Sequence, residues 1–426
     1  MGFQQGLSGL DAASSQLDAI GNNIANANTV GFKESTAQFA DVFAASLNGA
    51  GANQAGIGTK ISTIAQQFSQ GNISASNNSL DMAINGQGFF RMSQNGSISY
   101  SRNGQFQLDK NGDLVNAQGI QLTGYQADAN GKILATSPAP INIPTASLSP
   151  RATTSGVVGV NLDSGSTAPT AAFLPTDPTS FNNSTPMTIY DSLGNSHVAM
   201  VYFALDSAVP AAVTTATPTA TSSWSAYMTV DGNTVPAANT PISTLAFNSS
   251  GTLVYPPAAA PLKTGQFNVS VPLTNGATTP QSILLDFSST SQYGAAFSVN
   301  QLTQDGFTSG QLSGFSTGAD GVIQGRYSNG QSKNLGQIVL ANFSDPQGLA
   351  PQGNSLWSET TTSGAALVGA PSTGSLGVIQ SGATEASNVD LTAELVNMIT
   401  AQRIYQANAQ AIKTEDQIQQ TLVNLR

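Results

Sequence analysis

Ser387-Asn388-Val389-Asp390-Leu391-Thr392-Ala393-Glu394-Leu395-Val396-Asn397-Met398-Ile399 opens a run that reaches Arg426 without a Gly or Pro. The run reads as one long helix. Ser387 stands where an N-cap belongs, and Asp390, three residues on, completes a capping box and puts negative charge at the positive end of the helix dipole. Leu391, Met398, Tyr405 and Ile412 recur every seven residues, with Leu395 and Ala409 at the intermediate step, so an apolar stripe follows the helix. At 1.5 Å rise per residue it extends roughly 55 Å. Ile399, Ile404, Ile418, Leu422 and Leu425 lie off the stripe and form a second apolar side. One neighbour would not cover both.

A partner stands at the other end of the chain. Phe3, Leu10, Leu17 and Ile24 are also spaced by seven, with Ala13, Ile20 and Ala27 between them, so residues 3–27 read as a helix with a coiled-coil-like seam. Two readings follow: a pair of core helices in a globular domain, or terminal heptads that meet another chain. Past that helix comes Gly21-Asn22-Asn23-Ile24-Ala25-Asn26-Ala27-Asn28-Thr29-Val30-Gly31-Phe32-Lys33. Asn is poor inside helices and good at their ends, so Asn28 and Gly31 are expected to end it, with Asn22, Asn23 and Asn26 along its polar side.

This segment resembles the amino-terminal signature of the flagellar rod and hook axial protein family, carried by Asn22, Asn23, Asn26, Asn28, Thr29, Gly31, Phe32 and Lys33. Asn388, Asp390, Asn397 and Gln402, within the carboxy-terminal run, are similar to that family's second signature. The two motifs are long, sit at opposite ends and occur in the right order. The resemblance implies a structural subunit of a curved, flexible hollow tube that joins a membrane-embedded motor to a rigid filament, passes torque as a universal joint and serves as an export channel. It implies self-association into a helical homopolymer. The further partners it implies are the cap protein, the distal rod protein, the hook–filament junction protein and the flagellar type III export apparatus.

Composition agrees and excludes other classes. The chain has 426 residues, enough for two or three domains; only 8% are charged, 39% are hydrophobic, and the net charge is −10. That balance argues against nucleic acid and against anionic lipid surfaces, both of which need basic patches. Cysteine is absent, which removes disulfides and thiol chemistry. No apolar run approaches the ~18 residues of a membrane span, and no charged start followed by an apolar stretch marks a cleaved signal peptide. Export without one, to the cell exterior, is the expectation the resemblance supplies.

Residues 32–70 read as a mostly extended, Gly-punctuated connector with limited helix around Phe39, Val42, Phe43 and Leu47. In the family such a connector packs between subunits; composition alone fits a flexible linker equally. From residue 71 the pattern turns to β. Asn-Gly pairs begin at Asn85, Asn95, Asn103, Asn111 and Asn130, the favoured dipeptide of two-residue hairpin turns. Strands are expected around 88–92, 98–101, 105–108 and 119–123. After Pro150, Thr-, Ala- and Pro-rich clusters separate strand-like runs at 187–190, 197–205, 224–230, 267–271 and 283–287. From Asp305, Gly-punctuated strands resume.

No catalytic constellation emerges. Gly86-Gln87-Gly88 lacks the third Gly of a dinucleotide fingerprint and opens onto strand. Asp109-Lys110-Asn111-Gly112-Asp113 starts like a calcium loop, but Leu114 and Ile120 stand where Gly and Glu are required. The sole histidine, His197, has no nucleophile motif beside it. No catalytic residue, cofactor or metal is expected.

The fold class is multidomain α+β. Residues 1–70 and 385–426 build a terminal α-helical coiled-coil domain from both chain ends, the inner part of the tube. Residues 71–147 and 303–384 form a split β middle domain, and residues 148–302 an inserted all-β outer domain. Subunit contacts are assigned to Phe3, Leu10, Leu17, Ile20 and Ile24 on the first helix and to Leu391, Leu395, Met398, Tyr405, Ile412, Ile418 and Leu422 on the second. Two other functions fit the pattern: the straight distal rod protein of the same family, which lacks so large an insertion, and a secreted adhesin whose central β domain binds a ligand.

Overall fold

The computed structural model describes residues 2–42, 56–144, 146–210, 219–237, 239–256 and 262–424. Phe43, Leu47, most of the Gly- and Ala-rich connector, residues 211–218, Leu425 and the Leu422 side chain lie outside that description. The described chain is mostly β, with one long helix at each end: α1 at Gly2–Ala25 and α2 at Leu391–Asn424. It divides into two compact units, one of Met1–Thr145, Ser313–Arg326 and Ser332–Arg426, the other of Ala146–Leu312 and Tyr327–Gln331.

In the first unit the helix ends differ from the sequence reading for local reasons. Asp390, not Ser387, caps α2: its Oδ1 accepts the backbone N–H groups of Thr392 (2.9 Å) and Ala393 (3.1 Å). The helix α1 stops at Ala25, where the Asn26 side chain turns back to donate to the Asn22 carbonyl. The described part of the connector holds no helix; Ser35–Val42 and Gly58–Gln66 pair as two antiparallel strands.

Phe89–Gln94 and Ser97–Ser101 form a hairpin in the large sheet, and Gln121–Ala127 joins Phe89–Gln94 to Ser332–Ile338, so the two sequence-distant halves share one sheet. Of the Asn-Gly pairs between residues 85 and 131, Asn95-Gly96 alone puts both residues at positive φ (50° and 86°), as the tight hairpin turn requires. Gly104 serves close approach instead: a Cβ there would stand 1.6 Å from the Met82 carbonyl oxygen. Phe68, Phe89, Tyr100, Phe343 and Trp357 pack edge to face. Two short ladders, Ile73–Ala75 with Ala383–Glu385 and Met82–Asn85 with Val378–Ser381, bring the return strand beside the outgoing one just before α2.

The second unit is a two-sheet sandwich. One sheet has Ser155–Asp163 at its centre, parallel to Gln281–Asp286 and Ser291–Tyr293 and antiparallel to Ser298–Gln304. The other runs through Asn183–Tyr190, Ser196–Leu205, Ser222–Val230 and Ser243–Phe247. Val158, Val160, Val201, Phe203, Trp224, Phe247, Leu285 and Phe287 fill the core between them. The unit extends past residue 302 because Leu148 and Gly310 pair across its entrance. Ser155–Asp163 was not anticipated as a strand.

His197 is held between two carboxylates, with Nδ1 2.6 Å from Asp231 Oδ2 and Nε2 3.3 Å from Asp191 Oδ2. Burial alone would lower its pKa, but the hydrogen bonds to Asp231 and Asp191 and their charges prevail and raise it. Burial likewise works to raise Asp191, and the bonds from Asn195, Asn275 and His197 outweigh it. A raised histidine contributes stability that is complete below its unfolded value near 6.5 and is lost as pH climbs through the folded value. Calorimetry of the full chain is expected to show the sandwich melting higher at pH about 6 than at about 8.5, and His197→Gln to flatten that difference.

Candidate functional site

The two terminal helices lie antiparallel and close. A Cβ on Gly6 would stand 2.8 Å from Ile412 Cγ1, and one on Gly9 2.7 Å from the Asn408 side-chain amide. Ala13, Ala19, Ile20 and Ala401 are buried. The close approach is therefore made by small residues of α1, with Ile412 of the α2 heptad set against Gly6. Ile20 is buried; Leu10, Leu17, Ile24, Met398 and Ile412 are half-buried; Phe3, Leu391, Leu395, Tyr405 and Ile418 are exposed. Val396, Ile399 and Ile404 are exposed as well.

Below the helix pair sits a buried ion cluster. Glu385, at the end of the return strand and fully buried, takes Lys33 Nζ on Oε1 at 2.8 Å and Arg102 Nη1 on Oε2 at 3.2 Å. The Gly71 N–H also donates to Oε1 at 2.9 Å. Lys33 donates a second bond to the Ser69 carbonyl, and Arg102 Nη2 one to the Gly86 carbonyl at 2.7 Å. Burial pulls the Lys33 pKa down while Glu385 works against it; Arg102 is lowered by burial too. Three residues 33, 102 and 385 in the sequence thus tie the connector, the sheet and the approach to α2 at one point.

The signature residues gather around this cluster. Gly31, at φ +70°, donates its N–H to the Glu385 carbonyl at 2.8 Å, and a Cβ there would meet the Asn103 nitrogen at 2.5 Å. Asn388 accepts from Glu34 N–H at 2.8 Å and donates to the Gln67 carbonyl at 2.7 Å. Asn23 is not on a polar face, as its sequence position suggested. It is buried, donating to and accepting from the Ser35 backbone at 2.9 Å each way, which fastens α1 to the hairpin. Thr29 donates to Asn26, and Asn22, Asn26, Thr29 and Phe32 line a cleft of about 460 Å³ with Gln66 and Trp357. Asn28, Asn397 and Gln402 are exposed, and Asp390 is the cap described above.

Sequence reasoning missed Arg102, Glu385 and Glu34. Arg102 is remote from both signatures in sequence, Glu385 lies three residues before Asn388, and no local pattern marks either as a partner of Lys33. Glu34 lies against Glu394 in the first turn of α2; burial, then that neighbouring carboxylate, push the Glu34 carboxyl up.

Such a chain, with helical ends locked to a split β layer, has the build of an axial structural subunit. Family descriptions match its segments in order: flagella basal body rod protein over residues 3–33, flagellar hook protein FlgE/F/G D1 domain over 83–160, flagellar basal body protein FlaE D2 domain over 161–307 and flagellar basal body rod FlgEFG protein C-terminal over 380–425. The flagellar hook protein FlgE of Escherichia coli K12 is 44% identical, and that of Salmonella typhimurium 43% identical, each over 100% of both chains. The FlgE2 structure from Helicobacter pylori shares the fold with TM-score 0.52 at 15% identity, covering 72% of this chain and 99% of that one. The chain belongs to the flagellar hook protein FlgE family. Its role is structural, as a self-polymerising subunit of the hook, and not enzymatic.

Glu385→Ala leaves two buried cations without a counter-charge and is expected to destabilise the first unit by about 3–5 kcal/mol in urea unfolding. Joint replacement of Lys33, Arg102 and Glu385 by Met, Met and Leu should cost much less. Gly31→Ala, strained and blocked by backbone, should lower stability by more than about 1 kcal/mol in the same assay.

Proposed function

We propose that copies of the chain polymerise through the outward apolar sides of their terminal helices into a curved, flexible hollow tube. That tube acts as a universal joint carrying torque from rod to filament and as an export channel. The observation that supports it is the outer face of α2, where Val396 is 58%, Ile399 52% and Ile404 45% exposed on a helix already packed on its small-residue side. An apolar face of that extent marks an interaction site. Contacts between different faces of identical subunits, when they do not close into a ring, generate open tubes.

In this reading the helices of neighbouring copies complete a coiled-coil inner domain from residues 1–70 and 385–426. Residues 71–147 and 303–384 form the middle layer, and residues 148–302 the outer one. Gln402, Gln406, Gln410, Gln417, Gln419 and Gln420 are all exposed. They give a wet lining that does not hold a passing unfolded chain by salt bridges. Export proceeds through the type III apparatus without a cleaved signal peptide, and the tube meets the distal rod protein, the cap and the hook–filament junction protein at its ends.

Electron microscopy after seeding or salting-out tests this against a variant lacking residues 1–27 and 388–426. The full chain is expected to form curved tubes and the shortened one none; straight tubes would favour a rod, and persistent monomers a ligand-binding protein. Ile399→Asp with Ile404→Asp should abolish tubes while shifting the melting of the soluble chain by no more than a surface change, about 0.5 kcal/mol.

A further inference from the structure

We propose that Glu34 and Glu394 hold a divalent cation of the calcium type where α1, α2 and the connector hairpin meet. Glu394 is 4% exposed, and no donor among the described residues reaches its Oε2. Its Oε1 has only the Asn397 amide, at 3.5 Å, the outer limit of a hydrogen bond. A buried carboxylate oxygen left in that state is costly unless positive charge is brought to it. What faces it across a shared cavity is a second carboxyl group, Glu34, within side-chain hydrogen-bond reach of Glu394.

Among the described residues, none nearby supplies the positive charge. Lys33, next in sequence, aims its Nζ at Glu385 and the Ser69 carbonyl. The N–H groups of Thr392 and Ala393 at the start of α2 are taken by Asp390. Asn23 is committed at both amide atoms to Ser35. The two carboxylates border a cavity of about 70 Å³ into which Gln16, Thr36 and Asn397 also face, and none of its lining residues is basic. That is room for an ion and a water or two, each water occupying about 30 Å³. The available donors are carboxylate, amide and hydroxyl oxygens. Hard oxygen donors on side chains from three separate elements suit the adaptable coordination of calcium better than the strict octahedron of magnesium, and with no sulfur or imidazole they do not suit zinc. Bound there, the ion ties the first residues of the hairpin to both terminal helices.

The test uses full-length protein assembled into tubes, with assembly checked by microscopy, dialysed near neutral pH against calcium chloride, magnesium chloride or EDTA. Bound metal is read by elemental analysis and the dissociation midpoint by heating. The same titration on soluble full chain keeps the ion proposal testable if tubes fail to form. About one calcium per chain is expected, with affinity in the roughly 10⁻⁴–10⁻³ M range of extracellular sites, together with a midpoint raised by calcium over EDTA. Glu34→Gln and Glu394→Gln should each abolish both effects; Glu34 is half-exposed, so its variant is the one that folds without strain. Absence of retained calcium overturns the proposal. So does a midpoint indifferent to calcium that rises as pH falls through the carboxylate range, which marks a proton shared by the pair. An equal shift with magnesium that persists in Glu34→Gln marks general screening and overturns it as well.

Discussion

The structure of the first unit depends on one carboxylate. Glu385 accepts Lys33, Arg102 and the Gly71 N–H while its own carbonyl accepts from Gly31, so three other segments of the chain converge on a residue with no solvent contact. Three donors from three directions leave a carboxylate one geometry. Removing any one of them exposes the others to an uncompensated buried charge, a penalty larger than the pair's net worth against hydrophobic replacements. The cluster is therefore better at holding one arrangement than at adding stability. The arrangement it holds is the meeting of the chain that leaves α1, at Gly31 and Lys33, with the chain that enters α2, at Glu385.

The helices themselves were legible in the sequence, and their orientation was not. Heptads of large apolar residues advertise a seam, and Phe3, Leu10, Leu391, Leu395 and Tyr405 supplied one on each helix. The contact inside the subunit sets residues that periodicity weighs lightly, Gly6 and Gly9, against Ile412 and Asn408, with Ala13 and Ala401 buried beside them. Small residues allow close approach of two backbones, and dispersion over that close contact holds the pair. Phe3, Leu391, Leu395 and Tyr405 then remain outside, while Leu10, Leu17, Ile24, Met398 and Ile412 are half-buried. The pattern marked a sticky surface correctly and could not say whether the same chain or another would cover it.

In the β units, alternation and Asn-Gly turns located strands such as Ser196–Leu205 and the Asn95-Gly96 hairpin. Ser155–Asp163 escaped because its residues are almost all buried, so it shows no alternation, and because Gly156 and Gly159 look like turn signals. Those glycines are demanded by neighbours: a Cβ on Gly159 would stand 2.4 Å from Ser289 Oγ. The ion cluster was illegible for a related reason. Lys33 and Glu385 are 352 residues apart, and no local spacing records a contact closed only by the return of the chain.

The scarcity of charge gives these few buried groups their meaning. With 13 Lys and Arg in 426 residues, a chain that needed charge for solubility would keep each cation at the surface, yet Lys33 and Arg102 are buried. Beside a few charges such as Asp18, Arg403 and Lys413, the exposed helical surface is rich in Gln, Asn and apolar side chains, whose contacts are weakly directional and can be exchanged for similar ones at small cost. Ion pairs cannot be exchanged that way, because each lost partner strands a charge. The buried cluster of Lys33, Arg102 and Glu385 thus serves rigidity within the copy, while the amide and apolar side chains on the outer helix faces offer contacts that can be exchanged.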